Sequence, residues 1–339
     1  MNPITIVCCS EISDPNWRWI EPHLPDTEMK LELVGRPTRS IFSWFNRFNL
    51  DRLRTSLTAI RVARRSRARV LVTQGPTLAA WCALIARIIG FRISILAHSF
   101  NFASLPGPLK RSVFRLAFSS IERFVVYSKV EREIYSKCFG IPLDRFDFVR
   151  WGVRTPTASS PGAQAEVAEY VSAIGGNARD YRSLIDAASI LPDIRFSLVV
   201  RPESLRGLKL PENVTVYTNI PPEQAMEILS RSRFMVLPLI NSDVPCGHVT
   251  LVAAMHLGKA FIITDSLGVR DYVRDGENAI TVAAGSSEAL ARATRRLWQD
   301  QDLCKRLGEN GRLFAVLNCS ENQIADHFLG WIRTKMQAQ

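Results

Sequence analysis

Arg233 to Asp265 reads RFMVLPLINSDVPCGHVTLVAAMHLGKAFIITD, and the order of elements in it decides the fold. A buried run, Arg233–Leu237, passes into a polar loop, Asn241–Cys246. Gly247 then opens a helix over His248–Leu257, Gly258 closes it, and a second buried run, Ala260–Thr264, follows directly. Two wholly apolar strands with a helix between them form the repeating unit of a parallel α/β sheet. A glycine at a helix start lets the backbone approach a ligand closely, and the first free N–H groups there suit a phosphate. The His248 ring and the Thr250 hydroxyl supply further donors. The same pattern also describes an ordinary connection in which Gly247 only makes the turn, and periodicity leaves both readings open.

The alternation extends outward in both directions. Before the opening stretch, strand candidates fall at Ile4–Cys9, Leu31–Val34, Arg69–Thr73, Arg92–Leu96 and Arg123–Tyr127, with Leu78–Ile89 as an apolar helix among them. A Pro-, Ser- and Thr-rich linker, Thr155 to Gln164 (TPTASSPGAQ), follows. Beyond it come Tyr170–Ile174, Arg195–Val200 and Val214–Tyr217, then the two strands of the opening stretch, then Ala279–Val282. Pro222–Ser230 supplies another helix. At 339 residues the chain is long enough for two domains. The expectation is two doubly wound, Rossmann-like α/β domains facing across a cleft, with ligand at the carboxyl ends of strands. The boundaries expected are 1–157 and 165–318, with 319–339 a C-terminal helix (Ser320 to Lys335) packing back on the first domain.

Composition narrows the function classes. Hydrophobic residues make up 47% and charged residues 22%, ordinary globular values. Met1–Ser10 (MNPITIVCCS) reads as a buried strand rather than a signal peptide. The run Leu78–Phe91 is broken by Arg87 and is too short to span a bilayer. Seven scattered cysteines without a C-x-x-C pair predict reduced thiols and a cytoplasmic protein. No cysteine and histidine cluster has metal-ligand spacing, so no metal is expected.

Charge is placed unevenly. Residues 1–157 hold 24 Lys/Arg against 12 Asp/Glu, and the remainder holds 19 against 20. A field of that kind attracts a polyanion. Arg36 to Arg69 reads RPTRSIFSWFNRFNLDRLRTSLTAIRVARRSRAR, in which Ile41, Trp44, Phe45 and Phe48 share one helical face. With Arg39, Phe42, Arg47, Arg64 and Arg65 around it, that face suits an anionic membrane surface, although a core-facing stripe with a solvated basic side gives the same spacing. Nucleic acid is not expected as a partner, since zinc spacing, a helix-turn-helix and RNA-binding aromatics are all missing.

Continued to Gly276, the opening stretch carries a specific set of residues. They are the loop glycine Gly247, a helix end Ala254-Met255-x-x-Gly258-Lys259, Thr264-Asp265, GVRDYV at Gly268–Val273, and Asp275-Gly276. In type and spacing this resembles the donor-binding segment of GT-B glycosyltransferases of the family-four (group 1) type. Gly176 to Ala187 (GNARDYRSLIDA) is similar to the family's landmark after the first strand of the donor domain. The resemblance covers most of residues 120–335, while the first hundred match in architecture.

The resemblance implies a transferase moving a sugar from a nucleotide sugar, a UDP-sugar first among them, to a glycan or glycolipid acceptor at the inner membrane face. It implies no cofactor and no metal. Arg179 stands where the family holds the diphosphate with lysine, and a guanidinium binds phosphate oxygens bidentately. The other basic position is Gly176 here, and Arg201, at the end of the Phe196–Val200 strand, is the candidate substitute. Cys246, Gly247, His248, Val249, Thr250 and Asp271 complete the implied donor site. The family's paired glutamates fall at Pro245 and Ala253, so the ribose and sugar grips differ, with Asp243 the nearest carboxylate. His98, in HSFNF after a strand, matches a histidine that faces the donor sugar and would bond a hydroxyl or steady developing charge. Glu11 and Asp14, in the loop after the first strand, are the candidate bases for an inverting reaction; loop caps fit them equally. Loss of the glutamates also fits a non-catalytic homologue serving as a membrane or partner-binding scaffold, and a sugar epimerase shares the fold.

Overall fold

In the computed structural model the first apolar run, β1 (Ile4–Cys9), lies inside a parallel six-stranded sheet, paired with β2 (Met29–Val34) on one side. The structure describes residues 4–10, 20–24, 29–35, 50–102, 104–153, 169–240 and 245–337. The chain divides into two units, residues 1–149 with 322–339, and residues 150–321.

Unit 1 continues through α1 (Leu50–Arg65), β3 (Val70–Gln74), α2 (Pro76–Ile88), β4 (Ser94–His98), α3 (Pro108–Phe118), β5 (Arg123–Val126), α4 (Lys129–Phe139) and β6 (Phe146–Phe148). Its strands run in the order β2-β1-β3-β4-β5-β6. From β2 to β5 each crossover steps the same way across the sheet, so right-handed connections lay α1, α2 and α3 on one face. α1 packs on α2 and α2 on α3 accordingly. Phe100 organises the core beneath, its ring 5.0 Å from Phe118, 4.8 Å from Phe124 and 5.4 Å from Tyr135. The buried Glu131 is fully engaged. Its carboxylate accepts from the Tyr127 and Ser128 amides, both at 2.9 Å, and from Asn101 and the Tyr135 hydroxyl. With Ser128 it forms a capping box on α4.

Unit 2 comprises β7 (Val171–Ile174), α5 (Tyr181–Ile190), β8 (Phe196–Val200), β9 (Val214–Thr218), α6 (Pro222–Arg231), β10 (Phe234–Leu237), α7 (His248–His256), β11 (Phe261–Thr264), β12 (Ile280–Val282), α8 (Ser287–Gln299) and α9 (Gln301–Asn318). The sheet order is β12-β11-β10-β7-β8-β9. The chain leaves β7 toward β8 and β9, then returns to the other side of β7 as β10. The direction therefore switches between β7 and β10, the place where doubly wound sheets bind ligands. α7 is buried along nearly its whole length, which explains why its sequence shows no polar stripe. The last helix, α10 (Glu321–Gln337), belongs to unit 1 from Asn322 on, where His327 lies 3.3 Å from Asp147 and Lys335 pairs with Glu122.

Some boundaries differ from those read in the sequence. β6 was not anticipated, because its three residues, Phe-Asp-Phe, are too few to show a period. Arg69, Arg92, Arg195 and Arg233 precede their strands instead of starting them. Arg150 to Val153 go with unit 2: the Trp151 amide donates to the Tyr272 hydroxyl at 2.7 Å and Val153 N to the Cys319 oxygen at 3.2 Å. The Thr155 to Gln164 linker lies outside the described residues. Among the described residues no helix is long and apolar enough to cross a membrane.

Candidate functional site

Two loops meet at the switch point of unit 2. After β7 the chain turns through Gly175, at φ +120°, and Ala178, at φ +53°. Asp180 then caps α5 by accepting from the Ser183 amide at 3.1 Å. This loop is laced to the one after β10, since Asp180 N donates to the Pro238 oxygen and Ile240 N to the Ala178 oxygen, each at 3.0 Å. The Thr264 hydroxyl of β11 accepts from Leu239 N at 2.8 Å and fixes the second loop from the far side.

Gly247 starts α7 at φ +94°, in the left-handed region that disfavours side chains. Against it lies the guanidinium of Arg179. Nη2 donates to the Thr250 hydroxyl at 3.2 Å, Nη1 to the Asn177 oxygen at 2.8 Å and Nε to the Ile174 oxygen at 3.4 Å. A Cβ on Gly175 would stand 2.7 Å from Nη2, and one on Gly247 would stand 3.6 Å from Nη1. Gly175 thus makes the room that the guanidinium fills, while Gly247 supplies the left-handed turn beside it. Burial lowers its pKa, yet an arginine remains charged. Among the described residues no carboxylate pairs with it. A cation at a helix N-terminus opposes the helix dipole, and a largely desolvated unpaired charge is costly. An anion between the guanidinium and the first amides of α7 would relieve both.

Arg201, exposed at the end of β8, reaches the same loop from the other side. A Cβ on Gly176 would fall 2.8 Å from its Cγ and Cδ, so its aliphatic stem covers that glycine. The remaining implied donor residues divide by position. Val249, in the first turn of α7, is 57% exposed, and Cys246 is half-buried beside it. His248 is only 5% exposed, with Nε2 3.0 Å from the Gly268 oxygen and its ring 4.9 Å from that of Tyr272. That bonding makes it a brace between α7 and the 266–269 turn. Pro245 fills the same gap, because a Cβ on Gly268 would lie 2.6 Å from Pro245 Cα. Asp271 is half-buried, its main-chain oxygen accepting from Arg150 Nε at 3.1 Å. Lys259, a motif residue, donates to the Ser232 oxygen at 2.7 Å, which makes its role structural.

In unit 1, His98 is the last residue of β4 and 4% exposed. Its Nδ1 lies 3.2 Å from the Ser99 hydroxyl, which in turn lies 2.7 Å from the Tyr127 hydroxyl. Burial, with the nearby charge of His327 second, lowers its pKa to about 3. The ring is therefore a neutral hydrogen-bonding group and not a cation, which narrows the expectation of charge stabilisation. Sequence reasoning missed Ser10 and Gln74, which meet at 3.1 Å at the carboxyl ends of β1 and β3, the switch point of this sheet. Both end apolar runs, and no motif singled them out. Glu11, Asp14, Arg39, Phe42, Trp44, Phe45, Arg47, Phe48 and Asp243 lie outside the described residues. Arg64 and Arg65 are exposed at the end of α1.

Residues 202–314 match the family model described as glycosyl transferases group 1. The putative glycosyltransferase EpsD of Bacillus subtilis (strain 168) is 42% identical over 55 residues, 16% of this chain and 14% of that protein. The lipopolysaccharide core biosynthesis glycosyltransferase LpsE of Rhizobium meliloti (strain 1021) is 33% identical over 100 residues, 30% of this chain and 29% of that protein. The matched stretches thus span less than a third of these curated relatives. Anabaena Alr3699/HepE, solved in complex with UDP, superposes with a TM-score of 0.72 at 14% identity, over 98% of this chain and 100% of that one. The fold is that of GT-B glycosyltransferase structures, and the stretch similar to the group 1 glycosyltransferases, residues 202–314, lies within unit 2.

Proposed function

We propose that the chain transfers a sugar from a nucleotide sugar, a UDP-sugar, to a glycan or glycolipid acceptor, and that it does so without a metal. The observation that carries this reading is the Arg179 guanidinium, unpaired by carboxylate among the described residues and set against the mouth of α7 at the switch point. In the reaction, the bond between the anomeric carbon and the diphosphate oxygen breaks, and the electron pair leaves on the diphosphate. The acceptor oxygen bonds the same carbon and gives up its proton to a base, for which Glu11 and Asp14 are the candidates. Arg179, the α7 amides and Arg201 would hold the departing charge, the work a metal does elsewhere. His98, held neutral, would bond a hydroxyl of the sugar or acceptor. UDP in the HepE structure supports the choice of donor.

For the acceptor we propose a lipid-linked or membrane-surface saccharide, with the protein acting peripherally at the cytoplasmic face. The basic first half and the naming of LpsE as a lipopolysaccharide core enzyme support this. A screen of nucleotide sugars for turnover, with Arg179→Ala and His98→Ala beside the wild type, tests the reaction. Turnover of one donor that falls in both variants supports the reading, and unchanged turnover in both refutes the site.

Pro245 and Ala253, where the family carries glutamates, favour a second reading, a GT-B scaffold without catalysis. Its mark would be the failure of every nucleoside diphosphate in a panel to bind by calorimetry.

A further inference from the structure

Between Asp51 and Glu122 the sequence holds twelve Lys/Arg and no Asp or Glu. Eleven of the twelve are exposed; only Arg52 is half-buried. The basic surplus of the first half is thus concentrated in the segment that builds α1, α2 and α3, the helices layered on one face of the unit 1 sheet.

The outward sides of these helices are unlike those of a soluble layer. On α1 the outward positions are Arg54, Thr58, Arg61 and Arg65, all exposed. On α2 they are Trp81, Leu84 and Ile88, at i, i+3 and i+7, with Ile88 81% exposed. On α3 they are Leu109, Val113 and Leu116, exposed 88%, 51% and 51%, with Arg111 and Arg115 beside them. An apolar band on α2 and α3 is therefore bordered by arginines on α1 and α3. Buried faces are accounted for separately: Phe114, Ala117 and Phe118 anchor α3, and Leu78, Cys82 and Ile85 anchor α2.

We infer that the outer face of the α1–α2–α3 layer docks on a lipid bilayer rich in anionic headgroups, with Ile88, Leu109, Val113 and Leu116 entering the interface. Leucines and isoleucines this exposed lose water only against an apolar phase, and the surrounding arginines select an anionic one. A nucleic acid offers charge but no apolar phase for Leu109 or Ile88. This deepens the membrane part of the reading above and rests on it. It uses none of the donor-site residues and none of the residues 36–49.

The test is co-sedimentation of the full chain with phosphatidylcholine vesicles, with and without phosphatidylglycerol, at low and high salt. Binding should require phosphatidylglycerol and weaken with salt. Leu109→Glu/Val113→Glu/Leu116→Glu should lower partitioning at least about tenfold, and Arg61→Glu/Arg65→Glu about fivefold per charge removed. Ile190→Glu, an exposed apolar site on α5, should leave it unchanged. Nucleotide-sugar hydrolysis without vesicles and thermal melting of the variants should match the wild type, which separates docking from the donor site and from misfolding. Equal binding to neutral vesicles, wild-type binding by the leucine variant, or no vesicle binding would overturn the inference. So would binding of a DNA oligonucleotide, or self-association seen in sedimentation velocity, that the same variants abolish while vesicles are not bound.

Discussion

The stem of Arg201 occupies the space that a side chain on Gly176 would need, Cγ and Cδ each standing 2.8 Å from the position of the missing Cβ. A cation from the end of β8 thus reaches the loop after β7 where the family resemblance places one within the loop itself. The exchange predicts a non-additive pair. Arg201→Ala should weaken UDP binding about tenfold, the worth of a hydrogen bond to a charged group. Gly176→Lys alone should be worse than neutral, since its Cβ meets Arg201. The double variant Gly176→Lys/Arg201→Ala should recover most of the lost affinity by calorimetry.

Thr250 holds the Arg179 fork through its hydroxyl, so Thr250→Val keeps the shape and removes the acceptor. We expect affinity for UDP to fall about tenfold with little change in melting temperature, because a hydrogen bond to a charged group contributes about 1.5 kcal/mol or more. Isothermal titration beside a thermal melt checks both.

Gly268 is pressed against Pro245, so Gly268→Ala must push the 245–248 loop outward. The expected result is a lower melting temperature together with weaker nucleotide binding, since His248 braces the same turn. A destabilisation of about 1–3 kcal/mol is expected for overpacking at a buried site. Leu210→Ala, at an exposed position of unit 2, should show neither effect.

His98 supplies a pH signature. Its pKa is lowered from 6.5 to about 3 by burial, so the unfolded chain takes up a proton that the folded chain refuses. Stability from this group is complete above about pH 6.5 and is lost as pH falls toward 3, at about 1.4 kcal/mol per unit. His98→Gln should flatten that slope in chemical denaturation of unit 1 followed at several acidic pH values. An unchanged slope would place the acid sensitivity elsewhere.

The architecture was largely legible because its central strands are apolar on both faces. Ile4–Cys9 and Phe261–Thr264 announce themselves without reference to their neighbours. Side-chain direction was not legible. His248 and Thr250 stand two residues apart at the start of one helix, yet the first is tied to Gly268 and the second to Arg179. Arg201 covering Gly176, and Ser10 meeting Gln74, depend on which strands are neighbours, and only the sheet order supplies that. Lys259 and Thr264, prominent in the motif, turn out to bond the Ser232 oxygen and the Leu239 amide, so part of the family pattern records scaffolding.

Calorimetric titration of UDP into the wild type and into Arg179→Ala and Arg179→Lys tests the anion site most directly. We expect the wild type to bind, the alanine variant to bind at least about tenfold more weakly, and lysine, which keeps the charge but not the fork, to fall between. The same affinity in the wild type and Arg179→Ala would contradict a diphosphate held between that guanidinium and the first amides of α7.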